Sequence, residues 1–214
     1  PFYSYEVMLE QLEEGNLDIV ATGDAVTPSL KSRFAYGPAY QHVQQELVFQ
    51  AGTSRPRDLL ELDAPIITVA GSSQAHLLSS LLGQVTDQAS DSESPIIKTQ
   101  LVTTEDSDSE ELLQQVANGD IAYTVADSNR LALQRRRYPN LAVAKTLNED
   151  MPMAWALPLH QDDSVKAALI EYFGTVHQSG WFTVLEDKYF GHIRQFDYVD
   201  SRAFNYAAET ALAQ

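Results

Sequence analysis

The chain has 214 residues, of which 44% are hydrophobic, enough for one large globular domain or two small ones. The 30 Asp and Glu residues outnumber the 14 Lys and Arg residues, and the formal charge of -16 disfavours partners such as nucleic acid or an anionic membrane surface. Cysteine is absent, which excludes thiolate catalysis, disulfides and cysteine-ligated metals.

The N-terminal part of the chain predicts a helix followed by two strands. The helix ends at Gly15, and its apolar face comprises Val7, Met8, Leu9 and Leu12. A short strand at 17–22, a turn-rich segment at 24–33, a longer strand at 42–52 and a short helix from Asp58 to Leu62 follow.

From Pro65 onwards strands alternate with helices, which predicts a parallel sheet covered on both faces. The predicted strands are 66–70, 96–102, 121–127 and 141–147, and the predicted helices are 74–83, 109–119 and 129–139. An acidic loop lies at 87–94, and Ser107 or Asp108 can cap the second of these helices. A strand at 151–158 leaves this block, two helices at 162–180 and 181–191 follow it, and the remaining tail predicts one more helix.

One pattern occurs twice: EGNLDIVATGD at 14–24 and NGDIAYTVAD at 118–127. Each copy predicts the end of a helix, a Gly turn, a strand and a closing Asp. Because ligands of open α/β sheets bind at the carboxyl ends of strands, two such lobes would place two polar strand ends across a cleft. One wall comprises Thr22, Gly23, Asp24 and Thr27, and the other comprises Gly71, Ser72, Ser73 and Asp127.

These residues could read the head group of an amino acid. The helix N-terminus with the Ser72 and Ser73 hydroxyls suits a carboxylate, and Asp127 suits an ammonium group. The alternative is that the serines are an ordinary helix cap and Asp127 an ordinary turn or cap residue. The five histidines have no metal-ligand spacing, and no nucleophile elbow, phosphate-binding loop or dinucleotide fingerprint occurs, so the sequence predicts no cofactor and no catalytic constellation.

Several segments resemble known proteins. LEEGNLDIVATGDAVTP with FAYGPAY resembles the first lobe of the type-3 extracellular solute-binding proteins, the amino-acid receptors of transport systems. GPAYQHVQQELVFQAGTSRPRDL, GDIAYTVADSNRLALQRRRYPNLAVA and DKYFGHIRQFDYVDSRAFNYA resemble the N-terminal module of the lytic murein transglycosylase F family. The FDYVDSRAF tail is the most specific of these segments, since transport receptors usually end near the preceding KYFG.

The resemblance implies a two-lobe, type II periplasmic-binding-protein fold of the α/β class, whose first lobe lacks the N-terminal strand and helix of the family. The first lobe would comprise residues 1–50 and 152–200, and the second lobe residues 53–150. The chain would cross between the lobes near Leu47 to Gly52 and near Asn148 to Trp155. Residues 201–214 would begin a linker or helix towards a C-terminal catalytic domain.

The resemblance also implies a role. The chain would be a non-catalytic, regulatory ligand-sensing module of a peptidoglycan lytic transglycosylase, with an amino acid or cell-wall peptide as ligand. The catalytic Glu would lie beyond Gln214, and the parent protein would act in the periplasm, peripheral to the outer membrane. The alternatives are a free periplasmic amino-acid receptor of an ABC importer and, with least support, an enzyme in its own right.

The proposed site departs from the transport receptors at one position. In those receptors an Arg after the Thr-Pro pair clamps the ligand carboxylate with two hydrogen bonds. Leu30 stands at that position in TPSLKSR, whereas Ser72, Ser73 and Asp127 match the second lobe's carboxylate cradle and ammonium ligand. The resemblance therefore implies a weaker site than a transport receptor's, and an Arg at position 30 is expected to tighten it.

Overall fold

The computed structural model describes residues 5–23, 25–57, 59, 62–88, 99–160 and 163–189. The chain divides into two units, residues 1–173 and 174–214. Predictions on Asp24, on the acidic loop from residue 89, and on the tail beyond Tyr189 lie outside the described residues, as does most of the short helix predicted from Asp58 to Leu62.

The first helix, α1 at Tyr5–Glu13, confirms the predicted N-terminal helix. Leu9 and Leu12 are buried on it, whereas Val7 is 45% exposed. The predicted place of Val7 on the buried face is wrong, because residues two positions apart on a helix are separated by about 200° and Val7 therefore lies opposite Leu9. Gly15 has a φ of 76°, a left-handed conformation that glycine adopts without steric cost and that turns the chain out of the helix.

A four-residue helix and a short strand follow: α2 at Pro28–Lys31 and β1 at Phe34–Tyr36. Their apolar side chains join those of α1 in one core, made of Leu9, Leu12, Val20, Leu30, Phe34 and Ala156. The strand predicted at 17–22 is wrong: Val20 forms an isolated bridge to Ala156, with N–O distances of 2.9 and 3.0 Å. No ladder extends this bridge within the described part of 17–22, so the segment has no partner strand along its length.

The strand predicted at 42–52 is two strands, β2 at Gln41–Val43 and β3 at Gln45–Gln50, which belong to different sheets. The chain therefore passes from one sheet to the other at Gln44. This position precedes Leu47 to Gly52, where the crossing between the lobes was predicted. Other residues satisfy the backbone at this crossing: Ser128 bonds both the N–H and the carbonyl of Gln44, at 3.2 and 2.8 Å, and Asn148 accepts from the Gln45 N–H at 2.6 Å.

Four further strands complete a five-stranded sheet with β3. They are β4 at Ile66–Val69, β5 at Leu101–Thr104, β6 at Tyr123–Asp127 and β7 at Leu141–Thr146. The strand order is β5-β4-β6-β3-β7, with β4 parallel to β5 and β6, and β3 antiparallel to β6 and β7. The predicted parallel sheet is confirmed for the strands after Pro65. The N-terminal strand β3, which was not predicted to join it, lies between β6 and β7 and runs antiparallel to both.

Helices cover both faces of this sheet, as the alternation of elements predicted. The helices are α3 at Ser73–Gln88, α4 at Ser109–Asn118 and α5 at Ser128–Arg135. Leu78 of α3 packs on one face with Leu47 and Ile66, and Leu113 of α4 and Leu131 of α5 pack on the other. The α4 N-terminus confirms Asp108 over Ser107 as its cap: Asp108 accepts from two helix N–H groups, and Glu111 accepts from the Asp108 N–H in return.

The chain then returns to the N-terminal elements. The strand predicted at 151–158 is two short strands, β8 at Met151–Met153 and β9 at Ala156–Pro158, which pair antiparallel with β2 and β1. Helix α6 at Asp163–Gln178 follows, and its Phe173 ring stacks on Tyr40 at 5.8 Å and meets Trp155 edge-on at 5.3 Å.

The second unit is described from residue 174 to residue 189. It contains the end of α6, a turn at Gly180 with a φ of 71°, and a further helix at 181–189 that confirms the predicted one. The rings of His177 and Phe182 lie 5.1 Å apart across this turn. Among the described residues, no helix combines the length and the apolarity needed to cross a bilayer.

Candidate functional site

Three of the predicted site residues lie together at one edge of the five-stranded sheet. Asp127 ends β6, Ser72 precedes α3 and Ser73 begins it, and α3 follows the parallel neighbour β4. Because the carboxyl ends of parallel strands meet at one edge of a sheet, this placement follows from the topology. All three residues are buried, with exposures of 0% for Asp127, 4% for Ser72 and 0% for Ser73.

Two glutamines that the sequence analysis did not single out complete this cluster. Gln45 stands directly opposite Asp127 in the antiparallel pairing of β3 with β6, so their side chains share one face of the sheet. Its carboxamide Nε2 donates to the Ser73 hydroxyl at 2.8 Å and to Asp127 Oδ1 at 3.3 Å. Gln74 Nε2 donates to the same Oδ1 at 2.9 Å. We call Gln45, Ser73, Gln74 and Asp127 the buried polar cluster.

Burying the polar groups of this cluster costs free energy unless each group has a hydrogen-bond partner. Any group that lacks a partner therefore needs an explanation. Gln45 is 0% exposed, yet its Oε1 has no hydrogen-bond partner within the described structure. The Thr68 hydroxyl on β4 is also buried without one. The signal in the sequence was present: Gln45 alternates with Leu47 and Phe49 on the inward face of β3, where an apolar residue is the ordinary choice.

The hydroxyls of Ser72 and Thr27 are both engaged as helix caps. Ser72 Oγ accepts from the Ala75 N–H at 3.2 Å and donates to the Val69 carbonyl at 2.7 Å. Thr27 Oγ1 accepts from the Leu30 N–H at 3.3 Å. The capping alternative therefore describes these two hydroxyls, and the Ser73 hydroxyl is the one that joins the buried polar cluster.

Thr22 is linked to the residues that follow Asp127. Arg130 on α5 donates from Nη2 to the Thr22 carbonyl at 3.0 Å. The neighbouring Asn129 donates to Gln41 Oε1 at 3.0 Å and contacts the Met153 sulfur at 3.3 Å. The first turn of α5 thus ties the end of β6 to Thr22 and to the β2 and β8 strands. Asp24, the remaining predicted site residue, lies outside the described residues.

Leu30 does not line the site. It is 1% exposed and packs in the apolar core with Leu9, Leu12 and Phe34. The family resemblance predicted that position 30 belongs to the site and that an Arg there could reach a ligand carboxylate. The structure contradicts this expectation, because Leu30 lies on the side of the short helix α2 that faces the apolar core.

His76, one helical turn into α3, is a titratable group close to the cluster. Burial lowers the pKa of His76 below its ordinary value of 6.5, the Arg33 charge lowers it further, and Glu6 partly offsets both effects. Its Nε2 is buried without a hydrogen-bond partner in the described structure.

The depressed pKa of His76 predicts a pH-dependent stability. The unfolded chain takes up the proton more readily, so the stability due to neutral His76 is present above about pH 6.5 and is lost as the pH falls below it. When the pH is lowered from about 8 to about 5, the Tm measured by thermal unfolding should fall less for His76→Gln than for the wild type. His177→Gln, at an exposed position in the last turn of α6, is the matched control. An equal acid-induced loss in wild type and His76→Gln would contradict the prediction.

Two surface pockets lie away from the cluster. One, of about 330 Å³, is lined by residues that include Glu13, Arg33 and His160. The other, of about 320 Å³, includes Asp63 and Tyr123. Burial and the hydrogen bond to Asp63, 2.6 Å long, raise the pKa of Tyr123 to about 12. Neither pocket contains any of the predicted site residues.

Solved structures define the class of fold. The arginine-, lysine-, histidine-binding protein ArtJ from Geobacillus stearothermophilus superposes with a TM-score of 0.69 at 16% identity, over 88% of this chain and 76% of that one. An ancestral arginine-binding protein bound to arginine gives 0.71 at 14% identity, over 87% and 77%. The GluR0 ligand-binding core from Nostoc punctiforme in complex with L-glutamate gives 0.69 at 14%, over 88% and 80%. The chain therefore has the type II periplasmic-binding-protein fold, as predicted.

The sequence match is equally broad. The model of the bacterial extracellular solute-binding proteins, family 3, matches residues 2–192. The chain belongs to this family.

Curated relatives confirm the second resemblance. A protein named membrane-bound lytic murein transglycosylase F from Alteromonas mediterranea is 85% identical over 214 residues, which are 100% of this chain and 45% of that protein. A protein of the same name from Aliivibrio fischeri is 41% identical over 215 residues, 99% of this chain and 41% of its own length. The chain thus spans less than half the length of these relatives.

Proposed function

We propose that the chain is the non-catalytic, regulatory ligand-sensing module of a peptidoglycan lytic transglycosylase. One observation carries the proposal. The whole chain, which belongs to the solute-binding family, matches less than half the length of relatives that are named as transglycosylases. The rest of such a parent has room for a separate catalytic domain. The described residues contribute no paired carboxylates that the sequence or the site places for glycan cleavage.

The ligand we propose is an amino acid or a cell-wall peptide. The buried polar cluster supports this choice, because a carboxylate at 0% exposure and a hydroxyl at a helix N-terminus suit an ammonium and a carboxylate group. Thr22, Asp24, Thr27 and Ser72 are proposed as further contacts at the cleft. The proposal requires no cofactor.

The parent protein would cut murein glycan strands and leave 1,6-anhydromuramoyl ends, with a catalytic Glu beyond Gln214. It would act in the periplasm, peripheral to the outer membrane, and the module's partners would be the catalytic domain of the same chain and, through it, peptidoglycan. The alternative is a free periplasmic amino-acid receptor of an ABC importer. The fold's likeness to ArtJ and to an arginine-binding protein supports that alternative.

The test compares the 214-residue chain with a longer chain that includes the following domain of its relatives. We expect the 214-residue chain to release no anhydromuropeptides from purified murein, and the longer chain to release them at a rate that changes when muropeptides or amino acids are added. Replacement of the longer chain's catalytic Glu by Gln serves as the inactive control. Lytic products from the 214-residue chain alone would refute the proposal. A lytic rate of the longer chain that does not change with a ligand that binds would refute the regulatory role. A longer chain that binds amino acids and has no lytic activity would favour the importer receptor.

A further inference from the structure

The two groups proposed to read a ligand head group already have internal partners. One carboxamide nitrogen, Gln45 Nε2, lies between the Ser73 hydroxyl at 2.8 Å and Asp127 Oδ1 at 3.3 Å. A second, Gln74 Nε2, reaches the same Asp127 oxygen at 2.9 Å. A carboxamide NH₂ and an ammonium group are both multiple donors, so the glutamines occupy the positions that ligand donors would take.

These internal bonds are sheltered from water. Gln45 and Asp127 are 0% exposed and Gln74 is 4% exposed, so the hydrogen bonds to the Asp127 carboxyl group lie in a region of low dielectric, which strengthens them. The Gln45 carboxamide is only half used, because its Oε1 is buried without a hydrogen-bond partner in the described structure. A ligand could displace Gln74 from Asp127 and also donate a hydrogen bond to Gln45 Oε1. Both the Asp127 oxygen and the Gln45 oxygen would then have a hydrogen-bond donor.

We infer that Gln45 and Gln74 determine the specificity of this site by acting as an internal substitute for the ligand ammonium group. The inference rests on the proposed ligand-sensing function. A free amino acid with a single ammonium group gains one bond to Asp127 and loses the bond from Gln74, and it therefore binds weakly. A ligand with a second N–H donor in reach of Gln45 Oε1, such as a peptide, gains an additional bond and is preferred.

The test removes the Gln74 donor with a side chain of similar size. Gln74→Leu removes the shorter of the two internal bonds to Asp127 Oδ1, so L-arginine, L-glutamate and L-alanyl-D-glutamate should each bind about tenfold more tightly than to the wild type in calorimetric titrations. Gln114→Leu, an exposed position on α4, is the matched control and should change nothing. A Gln74→Leu affinity equal to or weaker than that of a wild type that binds overturns the inference alone. Absence of binding by both proteins for every probe overturns the inference together with the proposed ligand.

A second measurement, on the wild-type chain, tests the inference if Gln74→Leu does not fold. In the wild-type chain, the two buried carboxamide NH₂ groups of Gln45 and Gln74 should exchange slowly with solvent in nitrogen-15 NMR spectra. Addition of saturating L-alanyl-D-glutamate should shift the Gln74 pair and make its exchange faster, since the ligand has displaced it. Binding of the dipeptide with both pairs unmoved, or rapid exchange of both pairs before any ligand is added, would overturn the inference.

Discussion

Leu30→Arg should destabilise the chain strongly and should not create a tighter site. The Leu30 side chain is 1% exposed among Leu9, Leu12 and Phe34. An Arg there buries a guanidinium group without a carboxylate partner among those residues, which costs about 3 to 5 kcal/mol. For a chain of this length the loss corresponds to a fall in Tm of about 10 °C, measurable by thermal unfolding followed by circular dichroism.

The matched control for this prediction is Ser29→Arg, one residue earlier on the same short helix. Ser29 is exposed, so an Arg side chain there reaches water and the unfolding midpoint should stay within about 0.5 kcal/mol of the wild type. A Leu30→Arg variant that unfolds like the wild type and binds amino acids more tightly would show that position 30 faces the site after all. Such a result would restore the expectation from the transport receptors.

The position of Leu30 shows which structural features a family resemblance predicts correctly for this chain and which it does not. In TPSLKSR, Thr27 caps the short helix α2 and Pro28 occupies its first turn. The motif does not by itself fix which way a side chain points. Leu30 packs against α1 in the apolar core, so an Arg introduced at this position would be placed in that core and not at a cleft.

Much of the fold followed from periodicity and from punctuation by glycine and capping residues. The α4 helix is the clearest case, because Asp108, Glu111 and Gly119 mark both of its ends locally. The strand predicted at 17–22 failed because an apolar run does not specify a partner, and Val20 has only one bridge. The division of 42–52 into β2 and β3 also has no local signal, since it depends on Ser128 and Asn148, which lie far along the chain.

The candidate site was predictable to the extent that it depends on topology. Ser73 and Asp127 follow neighbouring parallel strands, so the sequence could place them at one edge of the sheet. Gln45 could not be placed there, because its contact with Asp127 requires β3 to pair antiparallel with β6, and the alternation of strands and helices predicted parallel strands only. The residue that bridges Ser73 and Asp127 therefore became visible only with the strand order.

Asp127 should have separable roles in stability and in binding, which two substitutions distinguish. Asp127→Leu removes the acceptor for the Gln45 and Gln74 carboxamides at a position with 0% exposure, and it should lower the free energy of unfolding by about 2 to 4 kcal/mol. Asp127→Asn keeps an acceptor oxygen of the same geometry, so it should lower the free energy of unfolding by about 1 kcal/mol or less.

Ligand binding should be sensitive to Asp127→Asn although stability is not, because the charge matters more to an ammonium group than to a carboxamide. Asp127→Asn should weaken the binding of an amino acid or muropeptide by about tenfold or more, since one charge-assisted bond is lost. Urea unfolding and calorimetric titration of wild type, Asp127→Asn and Asp127→Leu measure the two roles, with the exposed Asp120→Asn as control. Unchanged affinity in Asp127→Asn, for a ligand that binds the wild type, would assign Asp127 to the architecture of the sheet edge and remove it from the ligand site.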